Sequence, residues 1–158
     1  MFTVTDSQQR ALNSRLPRLL AEYRAFEVAR AERMVEPLSG TEADVATVTV
    51  RINPIPDEGA RLKEEFEAAL RNELGEQRAG LLMRLSTGWL SSQFNRFGAE
   101  PRTISVTRHP NGTYDIRTRS ANGSSFVGPT LKIHDDYIPP HLLPLFSDVL
   151  GKGDLTVR

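Results

Sequence analysis

RTISVTRHPNGTYDIRTR, residues 102–119, is the stretch whose reading decides the fold. Ile104 and Val106 are apolar at a spacing of two. Tyr114, Ile116 and Thr118 repeat that spacing beyond Asn111-Gly112. A half-buried strand requires this alternation, because successive side chains point to opposite faces of a sheet. Asn-Gly accepts the positive backbone angles of a tight hairpin turn. The stretch therefore predicts an antiparallel hairpin. Arg117 and Arg119 fall on the face opposite Ile116, while Arg102 and Arg108 share parity with Ile104 and Val106.

Working outward, Val48, Val50 and Ile52 alternate with Thr47, Thr49 and Arg51, which predicts a second strand over 45–52. Asn53-Pro54-Ile55-Pro56 stops it. Phe126 to Val127 and Leu131 to Ile133 predict one or two further short strands, with Pro129 disfavouring a central position.

The N-terminal part has helical periodicity instead. Thr5 and Gln8 have the spacing of a capping box. Leu12, Leu16, Leu19, Tyr23 and Phe26 then form one stripe, and the pattern predicts helix through 5–36 with a kink or break at Pro17. Two more helices are expected, over 57–73 and 76–90, separated by a break at 72–75. Leu62, Phe66 and Leu70 supply the apolar face of the former, and Leu81, Leu82, Leu85 and Trp89 that of the latter. The expected class is α+β, with amphipathic helices packed against a small, mainly antiparallel sheet. Residues 1–150 are expected to form a single compact domain, followed by a mobile tail over 151–158.

The composition narrows the chemistry. There is no cysteine, so disulfides, thiol catalysis and cysteine-ligated metals are excluded. The 20 basic and 20 acidic residues cancel, which disfavours a nonspecific nucleic-acid binder and makes self-association easier. No stretch has the length and apolarity of a membrane-spanning helix. The first residues also lack the basic-then-apolar pattern of a signal peptide. Phosphate-loop and dinucleotide fingerprints are absent, and so is a G-x-S-x-G nucleophile elbow. No cofactor or metal is therefore expected. Glu64 and Glu67 read as solvated helix surface rather than as a catalytic acid and base.

Candidate sites are of three kinds. Trp89, Phe94, Phe97, Tyr137 and Phe146 are candidate partner-binding anchors, provided that they are exposed. Arg117 and Arg119 offer an anion-binding edge, or alternatively protect a strand edge from pairing with another chain. His134, Asp135, Asp136 and His141 form the densest set of metal-ligating types, in a spacing that matches no metal motif. The segment Ile138 to Phe146 is read as a latch onto this domain or onto another copy, and Leu142, Leu145, Phe146 and Val149 can make a short amphipathic helix there.

Val4-Thr5-Asp6-Ser7-Gln8 resembles the Leu-Thr-x-x-Gln opening of helical repeats in small periplasmic stress chaperones. Leu74 to Arg78 resembles it more loosely, with glycine in place of threonine. The resemblance covers only these two pieces, and the strands depart from that all-helical pattern. It implies an extracytoplasmic sensor or chaperone-like module, without assigning a family. The expected function is a non-enzymatic interaction, sensing or regulatory domain with a protein partner, in an envelope-associated assembly. The alternatives are a hydrolase or lyase with a dispersed site around His134, Asp135 and His141, and a structural self-assembly module.

Overall fold

The computed structural model describes residues 5–37, 46–93, 96–120, 123–134, 137–151 and 155–156. It is an α+β protein, as the alternating and helical stretches of the sequence require. The chain divides into two compact units. One joins Met1–Ala29 to Pro54–Glu100, and the other joins Arg30–Asn53 to Pro101–Arg158.

The first unit is helical: α1 (Asp6–Ala29), α2 (Pro56–Leu74), α3 (Glu76–Gln93) and a 3₁₀ turn at Arg96–Gly98. The capping box forms at the start of α1. The Thr5 N–H donates to Gln8 Oε1 at 3.1 Å, and the Gln8 N–H donates to Thr5 Oγ1 at 3.3 Å. Pro17 lies inside α1 without ending it. Leu19, Tyr23, Leu62, Phe66, Leu70 and Leu74 close the core, each side chain contributing about 1.5–3 kcal/mol when fully buried. Arg61 bridges α1 and α2 by hydrogen bonds to Glu22 and Glu65, which raise its pKa above the ordinary arginine value.

Two expectations are corrected in this part of the chain. Helix does not continue to residue 36, because the chain turns after Ala29 and Ala31–Pro37 is a strand. Local propensity yields to a ladder of partners along its whole length. The buried side of α3 is also displaced from the expected stripe. Ala79 is buried and Leu82, Met83 and Ser86 are half-buried, at helical spacings. Leu81 is 40% and Leu85 77% exposed. Gly75, at φ +79°, connects α2 to α3, and the small Ala79 of α3 is buried in the core, with Leu82 and Met83 packed against it.

The 3₁₀ turn is strained. Arg96 and Phe97 have φ of 53° and 54°, a region that costs an L-residue roughly 1–2 kcal/mol. Two glycines allow α2 and its N-terminal approach to hold it. A Cβ on Gly59 would stand 1.6 Å from the Phe97 carbonyl oxygen, and one on Gly98 would stand 2.1 Å from Ile55 Cγ1. The Ile55 N–H donates to the Gly98 carbonyl at 2.7 Å.

The second unit is built on β1 (Ala31–Pro37), β2 (Ala46–Ile52), β3 (Arg102–Arg108), β4 (Tyr114–Ser120) and β5 (Gly123–Thr130). They form one antiparallel sheet in the order β1-β2-β3-β4-β5. The hairpin read from residues 102–119 is β3–β4, with Val106 opposite Ile116. Asn111 Oδ1 accepts from the Thr113 N–H at 3.0 Å and from its hydroxyl at 2.7 Å, which closes the turn. Two short strands, β6 (Ile133–His134) and β7 (Leu155–Thr156), pair in parallel.

One face of the sheet carries Val48, Val50, Ile52, Ile104, Val106, Tyr114 and Ile116, all buried. Leu142, Phe146 and Val149 pack into the same core from a 3₁₀ helix (Pro140–Phe146) and the turn after it. The latch read from the sequence thus closes on its own sheet. The Gly151 N–H donates to the Tyr114 hydroxyl at 3.2 Å where the covering segment ends.

Candidate functional site: the outer face of the sheet

The other face of the sheet is polar, and its register can be read strand by strand. Met34, Thr49, Ser105, Arg117 and Phe126 stand in one row across the five strands. Glu32, Arg51, Thr103, Arg119 and Ser124 stand in the next. Directly opposed residues share a face, so each row is a set of neighbours. The hydroxyls interlock: Thr49 and Ser105 share a hydrogen bond at 2.9 Å, as do Thr47 and Thr107.

Arg117 and Arg119 flank a groove of ≈ 400 Å³ over β3–β5. Thr103 and Ser105 line one side, and Ser124 and Phe126 the other. At its end Thr118 and Ser125 hydrogen-bond to each other at 2.6 Å. The lining residues include two arginines and, on the outer face, the hydroxyl residues Thr103, Ser105 and Ser124, and no carboxylate. Among the described residues neither arginine is paired with an acid. The Arg117 Cζ lies 5.4 Å from the centre of the Phe126 ring. That distance is within the range of a cation–π contact.

The β4–β5 hairpin register sets this arrangement, with a β-bulge at its far end. Tyr114 pairs with Thr130, but Ile116 pairs with Val127, one residue out of step. Pairing runs in step from Ser120–Gly123 to Ile116–Val127, which turns Val127 toward the core and Phe126 toward Arg117. Phe126 is 56% exposed. At the bulge His109 Nε2 meets Asp115 Oδ2 at 3.1 Å, which places a carboxylate just outside the groove.

The described aromatic candidates differ in burial. Phe146 is fully buried beneath the sheet, so its expected role at an exposed surface is corrected: its ring is core. Tyr137 is half-buried against that same core, in the sheet unit. Phe97 is half-buried against the helical core. Trp89 lies in α3, with its side chain outside the described residues, as is the whole of Phe94. Of the metal-ligating set, His141 is half-buried in the 3₁₀ helix, and the His134 backbone is in β6. Asp135 and Asp136 lie outside the described residues. Among the described residues no three His, Asp or Glu side chains gather in a metal-binding arrangement.

Sequence reasoning found Arg117 and Arg119 and missed their surroundings. The signal for Thr103 and Ser105 was present, as hydroxyls alternating with Ile104 and Val106. Phe126 gave none, because its facing depends on the β4–β5 pairing. Among the described residues no helix is long and apolar enough to cross a membrane. Comparison with protein-family models, curated proteins and solved structures gives no match to this chain.

Proposed function

We propose that this protein is a non-enzymatic interaction module that recognises an acidic segment of a protein partner through the outer face of its sheet. The observation that carries the reading is the groove with Arg117 and Arg119, the outer-face hydroxyl residues Thr103, Ser105 and Ser124, and no carboxylate. Guanidinium groups bind carboxylates through paired N–H donors, and flanking hydroxyls complete the acceptor's shell. Arg117 and Arg119 are exposed and, among the described residues, have no acidic partner, which leaves them attractive to an incoming anion. Asp115 borders the patch, so a long polyanion such as a nucleic-acid backbone meets repulsion where a short acidic segment does not. Through such binding the chain acts as a sensing or regulatory domain.

The test is an amide chemical-shift titration with a short glutamate-rich peptide and, separately, with inorganic phosphate. Saturable shifts at Thr103, Ser105, Arg117, Arg119 and Ser124 with the peptide are the expected result. Shifts with phosphate alone would replace the acidic-peptide ligand by a phosphorylated one. An unresponsive β3–β5 face with both probes would end the proposal.

A further inference from the structure

A second site lies in the helical unit and rests on separate observations. α2, α3 and the Arg96–Gly98 turn enclose a groove of ≈ 550 Å³, a size typical of small-molecule sites. Ala60, Met83 and Phe97 give it an apolar lining. Three cations stand around it, and two of them are matched. Lys63 lies 3.8 Å from Glu67, and Arg96 lies 2.5 Å from Glu100. Arg84 has no acidic partner among the described residues. The groove thus has apolar walls and one uncompensated positive charge.

The wall formed by Phe97 is the strained one. Arg96 and Phe97 both adopt the left-handed conformation, held by the close approach of Gly59 and Gly98. Strained backbone concentrates where a chain clamps a ligand, since packing alone is met with less distortion. Here the strain sets Phe97 against the groove.

We propose that this groove binds a small amphiphilic monoanion, an apolar chain ending in a carboxylate, with the chain against Met83 and Phe97 and the carboxylate at Arg84. An apolar cation is repelled by Arg84, and a compact dianion leaves the apolar walls unused. Neutral apolar compounds lose the charge-assisted hydrogen bond.

The probe is decanoate below its micelle concentration, titrated into the whole chain by calorimetry and amide shifts. Decyltrimethylammonium serves as the charge-reversed control. The expected result is saturable decanoate binding with shifts at Ala60, Met83 and Arg84, and no saturation with the cation. Arg84→Ala, at an exposed position, should weaken binding about tenfold, the loss of one charge-assisted hydrogen bond. Ala60→Phe, which fills the groove from an exposed helix position, should abolish binding while the helical CD spectrum is kept. Equal binding of both amphiphiles, or decanoate affinity unchanged in Arg84→Ala, would overturn the proposal. Shifts confined to β3–β5 would assign decanoate to the sheet instead and overturn it equally.

Discussion

Arg33 on edge strand β1 donates its Nε–H to the carbonyl oxygen of Leu145 at 2.9 Å, across 112 residues of chain. The same guanidinium pairs with Asp148. Arg33 stands on the apolar side of the sheet, opposite Val50. Its head group ties down the segment that covers that side, which a hydrophobic residue could not do. Arg33→Ala should lower stability by about 1 kcal/mol, because the pair is partly solvated. Urea unfolding is expected to show a lower midpoint at an unchanged slope. No change in midpoint would mean that the covering segment is held by packing alone.

Packing is the larger part of that attachment. Phe146 is fully buried among sheet residues. Phe146→Ala should cost about 3–5 kcal/mol in the same assay, through lost burial and a residual cavity. A residue serving only as a surface anchor would leave the midpoint unmoved.

The displaced phase of α3 makes the opposite prediction for a leucine. Leu85→Ala should change stability by less than about 0.5 kcal/mol, since the side chain is 77% exposed. Leu62→Ala, in the buried face of α2, should cost about 2–5 kcal/mol. Comparable losses at both positions would contradict the orientation of α3.

Gly98→Ala tests the strained turn. Its φ of +71° and the closeness of Ile55 together disfavour any Cβ. The variant should lose more than about 1 kcal/mol, and thermal unfolding would read it. A neutral result would remove the clamp on Arg96 and Phe97.

How much of this was legible depends on range. The capping box at Thr5 and Gln8, the strand alternation at Val48–Ile52 and the Asn111-Gly112 turn are local, and the sequence carries each within a few residues. β1 was hidden, because AERMVEP has no strand alternation of its own and acquires strand structure from β2. The facing of Leu81 and Leu85 was hidden for a related reason. Both Leu81–Leu85 and Ala79–Leu82–Met83 have helical spacing, and only tertiary packing selects between them. At the site, Arg117 and Arg119 followed from parity. Phe126 did not, because the register that turns it outward is a property of the β4–β5 pair.

The most direct test of the account is calorimetric titration of a glutamate-rich peptide into the wild-type chain and into Arg117→Ala/Arg119→Ala. Both arginines are exposed, so the fold should survive their loss, with an unchanged CD spectrum as the check. The account predicts saturable binding by the wild type that weakens with added salt. It predicts at least about tenfold loss in the double variant, the effect of removing charge-assisted hydrogen bonds. Equal affinity of the two proteins for the peptide would contradict recognition through the outer face of the sheet.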